Sequence, residues 1–372
     1  MKRRNLFRNL TTGATGTGLL SACGRSQQND TLSGDDAEDG SGLRIEWRMA
    51  TSWPENSEIR FGTVKRICER IGQLTQGNFA ITAFPAGGIA PPIEILDTVQ
   101  QGSVECGHTI GHYSIAKSRA FAFPGGLPFG LTSQQHMAWL YGAGGLDLMR
   151  SLYADIGIIN FPAGSTGSQM GGWFRNRVNS LADLQGLKMR MPGLGGEVLK
   201  RIGVEIQNLP SREILLALER GDIDATEWVG PYEDEKLGLH QYARYYYYPG
   251  WHEPGTTYEV LVNRDAYGRL PEEYRQAIKT AAFEAQVLMP AKYDAENGAA
   301  LQRLLSRGTE LVAFSDDILQ GVKQAANDLY AEYASQDPTF RQIYDHWNAF
   351  RQGIYRWNTV NERSFADLIF EG

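Results

Sequence analysis

From Leu43 onward, hydrophobic and polar positions follow two periods in turn. In RIEWRMATSW (44–53) they alternate as on a strand, whereas IRFGTVKRICERIGQLT (59–75) repeats its apolar residues at helical spacing. FAITAF (79–84) predicts a second strand, PIEILDTVQQG (92–102) a helix, and ECGHTIGHY (105–113) a third strand. A β-α-β-α-β order of this kind predicts a mostly parallel sheet covered by helices. A similar order restarts near residue 165. There GGWFRN (171–176) and LKMRMP (187–192) predict strands, GGEVLKRIG (195–203) a helix, EIQNL (205–209) a strand, REILLALERG (212–221) a helix and DIDATEWV (222–229) a strand. No fixed-period repeat relates the two sets.

Helix-rich sequence follows, at 271–308 and 317–336. After Pro338, Phe340, Ile343, Trp347, Phe350, Ile354 and Trp357 recur at spacings of three and four, an apolar seam along a long C-terminal helix. That seam suits either the chain's own lobe or a second copy. The expected architecture is therefore α/β with two lobes. The first comprises 43–164 plus about 226–250, the second 165–225 plus about 251–315, and C-terminal helices occupy 316–372. Tyr245 to Tyr248 predict a strand crossing between the lobes, its rings packing a hinge, so that a cleft can close on a small ligand.

The first 22 residues read differently. MKRRNLFRNL carries Lys2, Arg3, Arg4 and Arg8 without an acid, a weakly apolar stretch follows, and LSAC closes it. This predicts an export signal with a lipid-bearing Cys23, and RRNLF fits a twin-arginine signal. Residues 23–42 are polar and acidic, a flexible tether. Removing the four signal cations takes the formal charge of −7 to about −11. Cys68 and Cys106 fall on a predicted helix and a predicted strand, and read as buried thiols, not as a disulfide.

An acidic balance excludes a nucleic-acid partner, since phosphate binding needs a basic face. No run of about 18 apolar residues marks a membrane span, so the membrane is reached only through the lipid. The sequence carries no G-x-S-x-G elbow and no H-E-x-x-H pair, and its six histidines are scattered, which argues against an enzyme. A transport receptor, a sensory lipoprotein and an exported hydrolase remain as classes, and the site must separate them.

One segment, YYYYPGWHEPG (245–255), places a carboxylate, Glu253, among rings, and a buried carboxylate needs a partner. Arg190 ends a predicted strand just before a Pro-Gly turn, and its planar fork suits a ligand carboxylate; Arg175 in GGWFRN is the rival. Trp228 and Trp251 are candidates for the pocket wall, and Thr51, Trp53 and Ile93 weaker ones. His112 and His252 read as structural.

Together TSWPENSEIRFG, FPAGGIAPPIEILDTVQQGSVECG, GGWFRN, DLQGLKMRMPGLGGEVLKRIG, ALERGDIDATEWVGP and YYYYPGWHEPG resemble the extracytoplasmic solute receptors of tripartite ATP-independent periplasmic (TRAP) transporters, through nearly all of residues 44–365. ATEWVGP followed by YYYYPGWHEPG is similar to the branch that binds 2-oxo monocarboxylates such as pyruvate with a metal cation. The resemblance implies that Arg190 clamps the ligand carboxylate and that Tyr113 donates its hydroxyl from the opposite lobe. It also implies a Na+ or Ca2+ held by Glu227, Glu253, the amide oxygen of Gln169 and the backbone oxygen of Trp228, such hard cations preferring oxygen ligands. Further implications are a periplasmic location, delivery to TRAP membrane subunits, and a homodimer through swapped C-terminal helices. A calcium-dependent receptor for a 2-hydroxy acid such as lactate, or a sensory protein of the same fold, stands as the alternative.

Overall fold

The computed structural model describes residues 44–370; the expected export signal, Cys23 and all of the expected acidic tether lie outside the described residues. The alternating segment at the start of this range forms β1 (Ile45–Thr51), flanked by β2 (Phe79–Phe84) and β3 (Cys106–Thr109), both parallel to it. The sheet is completed by β4 (Ile158–Gly167) and by β10 (Thr256–Asn263), which lies antiparallel between β3 and β4. The second sheet runs β11 (Glu310–Ala313), β9 (Tyr245–Tyr248), β5 (Gly172–Phe174), β8 (Ala225–Thr226), β6 (Lys188–Arg190), β7 (Glu205–Gln207). The fold is thus two α/β lobes, each with a mixed sheet. Parallel pairing dominates at β1, β6 and β11, and antiparallel pairing enters where the chain crosses over.

The returning segments join lobes opposite to those expected. Thr226 and residues 245–248 pair in the second sheet and 256–263 in the first, so the expected placement of these segments is reversed, whereas 310–313 joins the second sheet as expected. The reason is side-chain burial on both faces. TTYEVLVN is buried at all but its last residue, as a central strand is, so polar and apolar side chains alike are inside and the period-two signal that marks a half-exposed strand is missing.

Two crossing segments, 168–171 and 249–255, lie against one another. Gln169 N–H donates to the Glu253 carbonyl (3.3 Å), Gly171 N–H to Tyr247 (2.7 Å), and the Ser168 hydroxyl to Pro254 (3.0 Å). A Cβ at position 250 would clash with the Gln169 carbonyl, which explains a glycine after Pro249. Tyr246 and Tyr247 are buried as expected. The Tyr246 ring stacks on Trp173 at 4.0 Å, and the Tyr247 hydroxyl bonds both main-chain groups of Val178. Cys68 and Cys106 are buried free thiols, and burial pushes that of Cys68 up to about 12.

The long helix Glu272–Ser306 runs beside β4 and leads into β11, tying the lobes a third time. After the helix Asp316–Gln336, the C-terminal helix Pro338–Asn358 divides in two. Phe340, Ile343 and Trp347 are buried against the body, with Trp139 donating to His346 (3.1 Å) and Arg351 to the Phe129 carbonyl (3.1 Å). Trp357, Val360, Phe365, Leu368 and Phe370 are exposed. Among the described residues, no helix is long and apolar enough to cross a membrane.

Candidate functional site

Register brings the first site residues together. Arg190 ends β6 beside Thr226 of β8, and the Glu227 N–H donates to the Arg190 carbonyl (3.1 Å), so the next side chain along meets the guanidinium. The two form a buried ion pair. Arg190 also reaches the main-chain oxygens of Leu209 (3.4 Å) and Glu227 (3.5 Å), both long for hydrogen bonds.

Glu253 comes from the other crossing segment. One of its oxygens lies 3.2 Å from His112 Nε2, and the other accepts from Gln169 Nε2 (2.7 Å) and from the Thr256 hydroxyl. Burial lowers the pKa of His112 against the pull of Glu253 and Glu227. The expected reading of His112 and His252 as satisfied structural groups does not hold. His112 Nδ1 and both nitrogens of His252 are buried without a hydrogen-bond partner in the protein, and His252 Nε2 stands 3.8 Å from Glu227.

Arg190, Glu227, Glu253, Gln169 and His112 line a cavity of about 40 Å³, room for a few water-sized groups, walled by Trp53, Ile110, Tyr113, Pro192, Trp228, Val229 and Tyr258 as well. It adjoins a larger cleft of about 560 Å³ that shares Arg60, His112, Tyr113, Arg190, Pro192 and Trp228 and is bordered by apolar Ile93, Ile115, Ile206 and Leu209. Burial pushes the Tyr113 phenol up despite Arg190 and Arg60, so its hydroxyl is a neutral donor facing the cavity.

Several expected residues lie elsewhere. Trp251 does not line this cavity; its ring stacks on Phe129 at 5.5 Å within a buried core. Arg175, the rival cation, is exposed and donates to the Leu218 carbonyl. Thr51 is buried against the Phe84 carbonyl (3.0 Å), and Ile93 stands on the rim of the larger cleft. Trp53 does line the cavity, where its indole N–H donates to His108 (2.6 Å).

Arg60 is the residue that the sequence reading missed. It opens the helix Arg60–Leu74 on the face of Val64, Ile67 and Ile71, and an arginine on an otherwise apolar stripe was the available signal. It pairs with Glu233 at 3.5 Å. Burial works against its charge, yet Glu233 and the nearby phenols more than offset this, raising its pKa.

Two carboxylates and two guanidiniums line this region, Glu227 and Glu253 with Arg190 and Arg60, and Glu233 behind Arg60 brings the local count to three acids against two cations. A carboxylate ligand would add a second uncompensated negative charge, which a cation would offset. The donors present fit a hard cation. Gln169 Oε1 is buried, has no hydrogen-bond partner, and belongs to a side chain already touching Glu253. Among the described residues, no group of three or more His, Cys, Asp or Glu could hold a metal, so a cation here would draw on amide, main-chain and ligand oxygens too.

Comparison with known proteins places the chain in a family. A periplasmic protein from Nostoc sp., described as binding monocarboxylate 2-oxoacids, is 50% identical over 368 residues, covering 99% of both chains. A TRAP transporter solute-binding protein from Bordetella bronchiseptica RB50 superposes with a TM-score of 0.87 at 41% identity, over 89% of this chain and 98% of its own; its crystal contains a dimer with calcium and picolinate at one site. A TRAP solute-binding protein from Pseudoalteromonas atlantica T6c, solved with sodium and pyruvate, superposes with a TM-score of 0.84 at 34% identity, over 87% and 99%. The profile of DctP, bacterial extracellular solute-binding protein family 7, matches residues 49–337. With two lobes joined by crossing segments and a buried ionic cleft between them, the chain belongs to this DctP family of solute receptors that serve TRAP transporters.

Proposed function

We propose that this receptor captures a 2-oxo monocarboxylate, pyruvate or a near homologue, as a complex bridged by Na+ or Ca2+, and delivers it to TRAP membrane subunits. The observation that carries the reading is the Arg190–Glu227 ion pair beside the unpartnered Gln169 Oε1. In the ligand-free protein each charge neutralises the other. On binding, Arg190 turns its fork to the ligand carboxylate, and Tyr113 donates its hydroxyl to the same group. Glu227, Glu253, Gln169 Oε1 and the Trp228 carbonyl are the groups that would hold the cation, which would supply positive charge to offset that of the ligand. Pro192, Val229 and the ring of Trp228 exclude water, which strengthens each polar contact.

The relatives support the chemistry, one binding monocarboxylate 2-oxoacids and one solved with pyruvate and a cation. Binding closes the cleft without turnover of the ligand. A homodimer through the exposed C-terminal apolar end, and a lipid anchor at Cys23 in the periplasm, belong to the same proposal.

A thermal-shift screen of pyruvate, 2-oxobutyrate, lactate and succinate, each with calcium, with sodium and with chelator, tests it. Pyruvate and 2-oxobutyrate should raise the melting temperature only where a cation is present. Stabilisation by succinate alone, or by pyruvate in metal-stripped, sodium-free buffer, overturns the reading.

A further inference from the structure

Arg60 has no part in the binding scheme above, although it lines both the cavity and the larger cleft. It is held firmly in place. Its Nε donates to the Ser57 hydroxyl (3.1 Å), and its ion-pair partner Glu233 accepts in turn from Ser57 (3.3 Å) and from the Tyr293 hydroxyl (3.0 Å). The fixed guanidinium stacks on Trp228, 4.5 Å from the ring centroid, and Arg190 stands 5.5 Å from the same centroid. Trp228 thus meets one guanidinium from each lobe, and its ring packs against the apolar cores of both.

We propose that Arg60 is a positioning residue. Through its stack on Trp228 it ties the first-lobe helix to the loop that carries the Glu227 carboxylate and the Trp228 carbonyl. Cation affinity then depends on the lobes being drawn together at this contact. The inference rests on the cation-bridged reading. A flat guanidinium face is needed for the stack, and lysine, which keeps the charge and the pairing with Glu233, lacks one. A desolvated contact of this type is worth on the order of tenfold in an equilibrium constant.

The test uses isothermal titration of pyruvate into the full chain with calcium, on wild type, Arg60→Lys, Trp228→Phe and the double variant. Arg60→Lys should lose about tenfold in calcium-dependent affinity, and the double variant no more than Trp228→Phe alone, because without the indole Arg60 has no such contact left to lose. Wild-type affinity in Arg60→Lys, or additive losses, overturns the proposal. A ligand-free readout accompanies it. In protein carrying 5-fluorotryptophan at its eight tryptophans, the fluorine resonance that vanishes in Trp228→Phe should shift in Arg60→Lys and in Glu233→Gln. Wild type failing to bind pyruvate with calcium sinks the function reading and leaves the fluorine spectrum to decide alone. An unmoved Trp228 resonance in both variants overturns the role of Arg60.

Discussion

Two buried arginines face the same cleft from opposite lobes, and their acid partners are held in different ways. Glu233 receives hydrogen bonds from Ser57 and Tyr293 beside its pairing with Arg60, so most of its bonding capacity is filled within the protein. Glu227 has Arg190, the distant His252, and little else among side chains. A buried pair is costly to break when one charge is left without a replacement partner. The first pair has none within reach and is structural. The second has an incoming carboxylate for the arginine and a cation for the acid, so it can exchange. Similar residue types at similar depth thus serve different purposes, and what distinguishes them is whether the second acceptor and donor are already in place.

The largest expected effect breaks the structural pair. Glu233→Ala should cost about 3–5 kcal/mol in unfolding free energy by urea titration, with no recovery on adding calcium. Recovery with calcium would mean that Glu233 and not Glu227 faces the cation. Next comes Arg190→Ala. Pyruvate affinity should fall at least about 100-fold, about 2.7 kcal/mol, while calcium alone should stabilise this variant more than wild type, because Glu227 is freed. Equal calcium stabilisation in both would leave Glu227 outside the cation set.

Glu253→Gln should weaken calcium by about tenfold, roughly 1.4 kcal/mol, with pyruvate affinity following only as the cation is lost. A titration in which pyruvate weakens at saturating calcium would assign Glu253 to the ligand directly. The smallest effect concerns a carboxylate with no arginine. Glu259 on β10 is buried, accepts from Tyr153 (2.5 Å) and Asn160 (2.7 Å), and burial pushes its pKa up to about 7. The folded protein therefore keeps this proton to higher pH than the unfolded chain does. Its contribution is fully present below about pH 4.5 and is lost as pH rises through about 7. Glu259→Gln should flatten the fall in melting temperature between pH 6 and 7, a difference on the order of 1 kcal/mol. An unchanged slope would place the titration elsewhere.

Much of the site was legible in the sequence, and for particular reasons. Arg190 stood out because a cation at a strand end before Pro-Gly has few structural uses. Glu253 stood out because an acid among rings demands a partner. Trp251, in contrast, was misjudged. Glu253, two residues on, faces the cavity while the Trp251 ring turns to Phe129, and nearness in sequence does not say which side chains of a turn face the cleft. Arg60 was hidden for the converse reason, lying on a helix whose periodicity advertises core, far along the chain from its partner Glu233.

The sequence by itself determined the two α/β rhythms, the strand of tyrosines, the acidic balance, and the residue types a cation and a carboxylate require. These are local properties, set by side-chain period, turn residues and charge. That the chain crosses at 249–255, after the tyrosines and not through them, was left to the fold. Only the tertiary structure decided which lobe each returning strand joins, that Arg190 spends its charge on Glu227, and that Arg60 reaches Trp228 from the other lobe. Those facts depend on contacts between residues far apart in the chain. They are fixed by which buried charge finds a partner when the sheets assemble, and no window of sequence contains both members of such a pair.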